Sequence, residues 1–247
     1  MMALPPSASP PATAPAGRRA VGGDGRLIGW SVPTALLVLS TIPLTAGTLR
    51  LVQLVGGPAL MPADERFPAF PAALIVHIVG ATLYAVLGVL QLVPRFRRGH
   101  LTWHRRVGRL VTVAGLLVAA SALWMTLGYA PKPGTGELLY GLRLLFGTAM
   151  LVSLVLGFTA IRRRDISAHR AWMIRAYAIG LAAGTQALTE GIATAAIGGG
   201  VLVGDLAKGA GWIINLAVAE WVIRRGSPRR PPVTGTGHPV PTARGHR

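Results

Sequence analysis

His104 and His169 occupy matching places in two copies of one pattern. Residues 97–105 read RRGHLTWHR and residues 162–170 read RRRDISAHR, an ungapped alignment at an offset of 65 residues. The shared form is Arg-Arg-x-x-[Leu/Ile]-[Thr/Ser]-x-His-Arg. Two imidazoles held at one depth on either side of a repeat axis could ligate a haem iron or hold a divalent metal. Arg105, Arg109, Arg170 and Arg175 lie close enough in sequence to neutralise haem propionates, which makes haem b the candidate cofactor. Both histidines sit at the ends of apolar runs, however, whereas haem ligands of membrane bundles generally lie inside the spans. A plainer reading makes Thr102 and Ser167 helix caps and the arginines a collar that reaches lipid phosphates.

A third histidine belongs to a different constellation. His77 falls inside an apolar run, as do Arg143, Gln186 and Glu190. A charge at the bilayer centre costs about 2.5–3.5 kcal/mol on insertion scales, so such residues pair or line a cavity. One reading is an Arg143–Glu190 ion pair with His77 hydrogen-bonded beside it. The other is a small polar cavity for a quinone headgroup, a proton or a small solute, with His77 as proton donor. Asp205 and Lys208 open the last apolar run near the same level.

The elements that must position these residues are membrane helices. Half of the chain, 51%, is hydrophobic and only 13% is charged, about half the charged share of a soluble domain. Six apolar runs are long enough to cross a bilayer: about 27–55, 70–93, 105–128, 138–161, 170–197 and 203–223. The expected fold is an all-α polytopic membrane bundle of six transmembrane helices built on a duplicated two-helix hairpin. Residues 1–26 are rich in Pro, Ala and Gly and read as a disordered tail, as does the basic stretch 224–247. Arg18-Arg19 before an apolar run invites a twin-arginine export reading, but that run is too long for a signal segment.

The net charge of +17 would suggest nucleic acid in a soluble protein. Here the basic residues gather at the ends of apolar runs, and basic loops alternate with neutral ones. The positive-inside rule then places both termini and both Arg-Arg…His-Arg turns in the cytoplasm, with the bilayer and its anionic headgroups as partners and no nucleic acid. Cysteine is absent, which excludes disulfides, thiolate metal sites and thiol nucleophiles. No serine elbow, His-Glu-x-x-His run or phosphate loop occurs.

Within the runs, small and polar residues recur at three- and four-residue steps. His77, Gly80, Tyr84, Gly88 and Gln91 form one such stripe, and Arg175, Ile179, Ala182, Gln186 and Glu190 another. These stripes should face the bundle interior.

Three stretches carry a resemblance: His77-Ile-Val-Gly80 with Gly88 and Gln91, His104–Arg109, and His169–Tyr177. In this order, over about residues 72–190, the chain resembles a family of predicted bacterial membrane proteins, domain of unknown function 2306. The resemblance implies the multi-pass topology and draws attention to the three histidines, but implies no reaction. It also implies an arginine past the middle of the fifth run, where this chain has Gly184-Thr185-Gln186.

The sequence therefore supports a membrane-embedded binding or redox-accessory protein. The alternative is a structural, small-solute or proton transport component without chemistry.

Overall fold

The computed structural model describes residues 24–62, 64, 66, 71–92 and 99–225, with side chains from residue 34 onward. Glu65, the basic loop 93–98 and most of both tails lie outside these residues. Among the described residues the chain forms seven helices and no strand: α1 (Asp24–Leu54), α2 (Ala72–Leu92), α3 (Leu101–Gly128), α4 (Glu137–Arg162), α5 (Ile166–Gly180), α6 (Ala182–Ile197) and α7 (Val201–Arg225). Five of them, α1 from Thr34 onward, α2, α3, α4 and α7, are long and apolar enough to cross a membrane. Their outward faces are apolar, with Val38, Trp124, Leu145, Leu206 and Ile213 all more than half exposed. That inverts the surface of a soluble protein and fits a bundle solvated by lipid.

The fifth run departs from expectation. In place of one helix over 170–197 there are two, of 15 and 16 residues, with Leu181 in a turn between them. Each rises only about 22–24 Å, less than a hydrocarbon core of about 30 Å. A broken helix frees backbone groups that lipid cannot satisfy. Here Asn215 of α7 donates its Nδ2 to Ala178 O (3.0 Å), while its Oδ1 accepts from Thr185 Oγ1 (2.7 Å). One side chain thus holds both sides of the break. Gly184, just past it, lies so close to the Leu39 carbonyl that a Cβ would overlap the oxygen.

The break sets the packing. In the half of the bundle carrying the basic loops, α5 runs through the middle and touches α2, α3, α4 and α7. Beyond Leu181 the chain leaves the centre, and α6 packs against α7 and α1. The core of the filled half is a tilted pair of tyrosines, Tyr84 and Tyr177, with ring centroids 5.5 Å apart. Tyr177 donates its hydroxyl to Ala85 O at 2.7 Å. These rings fit because their neighbours have no side chains: a Cβ on Gly115 or Gly180 would come within 2.6 or 2.7 Å of the Tyr84 ring.

The two hairpins share a register. α3 and α5 begin at Leu101 and Ile166, which are aligned residues of the two pattern copies. The expected caps are corrected. Thr102 and Ser167 both sit one residue inside their helices, too late to cap them. The residue ahead of α5 is Asp165, whose carboxylate accepts from Ala168 N at 2.9 Å. Ahead of α3 stands His100, with no side-chain cap bond.

At the other end of the bundle, α7 caps α4. Asp205, 2% exposed, accepts from Gly136 N at 3.1 and 3.3 Å and from Leu139 N at 3.1 Å. This places a carboxylate at the positive end of the α4 dipole. Asp205→Ala would leave the N–H groups of Gly136 and Leu139 without their acceptor, the buried Leu139 N–H at about 1–3 kcal/mol. The expected result in detergent is a clear drop in thermal midpoint, smaller for Asp205→Asn, whose amide oxygen still accepts. A Leu202→Ala control on the lipid face should shift little. Equal midpoints for Asp205→Ala and the parent chain would refute the cross-helix cap.

Candidate functional site

The departure of α6 from the bundle axis leaves a cavity of about 460 Å³ in the half carrying the neutral loops. Its floor is formed by Met150, Ile179, Gly180 and Leu181, at the break itself. Its walls come from α1 (Ser40, Leu44), α2 (Ala81, Ala85), α3 (Val118, Ala122) and α7 (Trp212). Trp212 is held flat against Phe146, with centroids 4.7 Å apart. The volume lies within the usual range of small-molecule sites, about 300–1,000 Å³, and the lining is mostly apolar.

Above this apolar floor lies a polar collar. His77 is five residues from the start of α2, Arg143 six from the start of α4 and Lys208 seven from the start of α7. At the helical rise these depths are about 8, 9 and 11 Å below the neutral-loop end. All three line the cavity, as does Gln186. His77 Nδ1 lies 3.2 Å from Val118 O and 3.1 Å from Ser121 Oγ. A carbonyl only accepts, so Nδ1 carries the proton and Nε2 of the neutral ring is an acceptor. The hydroxyl of Ser121 is itself directed to Leu117 O at 2.6 Å. The sequence pattern therefore brings His77, Arg143 and Gln186 to one cavity.

Glu190 does not join Arg143. It forms an ion pair with Lys208 instead, and Gln186 Nε2 donates to the Lys208 carbonyl (3.2 Å). The reason is placement: Glu190 stands on α6, which packs on α7. Thr189 adds a bond to Ala207 O (2.7 Å) along the same seam. Arg143 sits on α4 across the cavity, and among the described residues no acceptor bonds its guanidinium. Asp205 is the carboxylate whose charge it feels, but the Asp205 oxygens are turned to the α4 backbone.

The mouth is tied to α1. Arg50 donates to Pro62 O (3.0 Å) and Gln53 to Met61 O (3.2 Å), fixing the loop that carries Arg66 into the cavity wall. Arg66 bonds Asp64 through Nε (2.7 Å) and Nη2 (2.5 Å). Those hydrogen bonds hold the Asp64 carboxyl below its usual range, so the pair weakens only as pH falls through that lowered value.

The residues of the repeated turns lie at the opposite end and line no part of this cavity. His169 Nδ1 donates to Gly157 O at 2.8 Å, tying α5 to α4 and leaving Nε2 as its acceptor. Arg175 is taken up by Glu220 of α7 in a two-point bond (2.5 and 3.1 Å) and lies over the Trp172 ring at 4.7 Å. Arg105 and Arg109 are exposed and Arg170 is half-buried. His104 is half-buried on α3, one helical turn from Gly108. Among the described residues no three of His, Cys, Asp or Glu come together as metal ligands.

Two residues that hold this arrangement together escaped the sequence reading. Glu220 is a lone acid near the basic end of an apolar helix, a signal that could have paired it with Arg175. Asn215, a lone amide in the last apolar run, gave no sign that it bridges a break.

Residues 74–223 match the family model described as predicted membrane protein (DUF2306). The match runs through α7, beyond the 72–190 over which the sequence alone shows a resemblance. No curated protein and no solved structure matches the chain.

The corrected pairing predicts the outcome of two mutant cycles read by thermal stability. Glu190→Gln and Lys208→Met should couple by about 0.5 kcal/mol or more, as neighbours in one network do. Arg143→Ala and Glu190→Ala should add independently. Coupling in the second cycle but not the first would restore the Arg143–Glu190 pair.

Proposed function

We propose that this chain, which belongs to the DUF2306 family of predicted membrane proteins, binds a small amphipathic molecule in the cavity above Leu181. The carrying observation is the cavity's gradient: an apolar floor at the break and a collar of His77, Arg143 and Lys208 nearer the neutral loops. A ligand with an apolar body and a polar head matches that gradient in one orientation only. A quinone and a single-chain lipid are both members of this class.

The charge pattern of the loops supports one orientation of the protein. α5 and α6 together make the fifth crossing and α7 the sixth, so the chain passes the bilayer six times. The basic turns at 93–100 and 162–165 and both termini face the cytoplasm, because lysine and arginine are retained on that side. The cavity then opens in the outer half of the membrane. Arg105, Arg109 and Arg170 are free to reach cytoplasmic headgroups. A haem held by His104 and His169 would use Nε2 of His169, since Nδ1 is engaged with Gly157. Nothing in the outer cavity supports that arrangement, and a visible spectrum of protein from haem-replete cells reports on it directly through a Soret band.

Two measurements test the main reading. Reporter fusions at Pro62, Gly134 and Gly199 should read outside, and those at Gly99, Asp165 and Gly226 inside; one inverted loop would break the six-crossing topology. Ala81→Phe and Ala122→Phe place bulk in the cavity wall. The parent chain should carry an extractable small amphiphile through purification and gain thermal stability from it, about 2.7 kcal/mol at a hundredfold excess over Kd. Both variants should lose the molecule and the gain. Equal retention in all three would mean the amphiphile lies elsewhere.

A further inference from the structure

We propose that the cavity's ligand is a single-chain amphiphile with an oxyanion head, a carboxylate or a phosphate ester, and that Arg143 receives that head. This rests on the reading of the cavity as an amphiphile site and adds the charge of the ligand.

Of the three cations that line the cavity, two are already engaged. Lys208 is bonded by Glu190 and Arg66 by Asp64. Arg143 differs. Its guanidinium offers five N–H donors in a planar fork, and no described residue accepts from any of them. It stands about 9 Å below the neutral-loop end, in a wall whose other members are largely apolar. The nearby Asp205 cannot turn towards it without releasing Gly136 N and Leu139 N, both of which it caps. A cation kept at such depth without an acceptor is costly, and a carboxylate or phosphate satisfies the fork at two points.

The surroundings select the rest of the ligand. Below Arg143 the cavity offers Met150, Ile179, Leu181 and Trp212, which suit an alkyl chain directed towards the membrane centre. His77 Nε2, on the opposite wall at nearly the same depth, is an acceptor and suits a hydroxyl on the head or its neighbour, since two acceptors would not bond. The small second cavity of about 50 Å³ adjoins the collar and is also lined by Arg66 and Arg143. It gives the head polar space on the side towards the aqueous mouth.

The test uses the full chain in phosphatidylcholine nanodiscs. The probes are dodecanoate, dodecyl phosphate, dodecanol and dodecyltrimethylammonium, with acetate and inorganic phosphate as chainless oxyanions. Binding is read by thermal shift and by competition. The parent chain should prefer dodecanoate and dodecyl phosphate over dodecanol by at least about tenfold, the scale of one charge-assisted hydrogen bond. Acetate and phosphate alone should bind far more weakly. Arg143→Gln should abolish the preference while keeping dodecanol binding, and Arg143→Lys should keep part of it.

Equal binding of dodecanoate and dodecanol by the parent chain would overturn the proposal, and needs no variant to fold. So would an unchanged preference in Arg143→Gln, or chainless oxyanions that bind as tightly as the long-chain ones. Strong stability coupling between Arg143→Gln and Glu65→Gln, with no loss of head-group preference, would assign Arg143 to the outer loop instead. Failure of the underlying reading looks different: no dodecyl probe binds at all, or all bind equally to Ala81→Phe.

Discussion

Lipid offers no hydrogen bonds, and the structure is arranged around one place where that rule is strained. The fifth apolar run breaks at Leu181, where a continuous helix would have satisfied its own backbone. The break persists because Asn215 bonds Ala178 on one side and Thr185 on the other. Everything above Leu181 follows from it. α6 steps off the bundle axis, the space it leaves becomes the cavity, and the end of α5 becomes the cavity floor.

Among the described charges at the cavity and along α7, the same constraint holds with one departure. Glu190 is matched by Lys208, Arg175 by Glu220, and Asp205 by the free N–H groups of α4. Each match joins two helices, so electrostatic satisfaction and assembly are one event. Arg143 is the member of this set whose partner is not supplied by the described chain. In a medium that penalises an unmatched cation, that exception points to a site, whereas a surface arginine would carry no such weight.

Much of this was legible from residues alone. Apolar length gave the helical membrane bundle, and the offset between the repeated turns placed the starts of α3 and α5 at aligned residues. The stripe containing His77, Tyr84 and Gly88 correctly faces inward, because small residues at helical spacing permit the close approach that Tyr84 and Tyr177 exploit. The break was not legible. Gly180 and Gly184 lower helix propensity only modestly, and neighbouring Ala182 and Ala183 favour helix. What decides the matter is Asn215, about thirty residues on, and a long-range bond leaves no local periodicity to detect. The partner of Glu190 was missed for the same kind of reason. Depth along the helix made Arg143 and Lys208 equally suitable, and only the displacement of α6 towards α7 chooses between them.

The two copies of the turn also show how α7 is tied into the bundle. In the first hairpin α3 continues unbroken to Gly128, whereas in the second the aligned helix stops at Gly180. The polar residues of α7 serve the second copy alone: Glu220 holds Arg175 of α5, Asn215 bridges the break, Lys208 holds Glu190 of α6, and Asp205 caps α4. A duplicated hairpin would on its own form two similar, filled halves. The last helix removes that equivalence by stabilising a broken form of the second copy, and the family match extends through it. α1 lies outside the match yet closes the cavity with Ser40, Pro43, Leu44 and Gly47. His77 and Arg143, the residues to which the proposal assigns the head group, stand on α2 and α4 within the matched region.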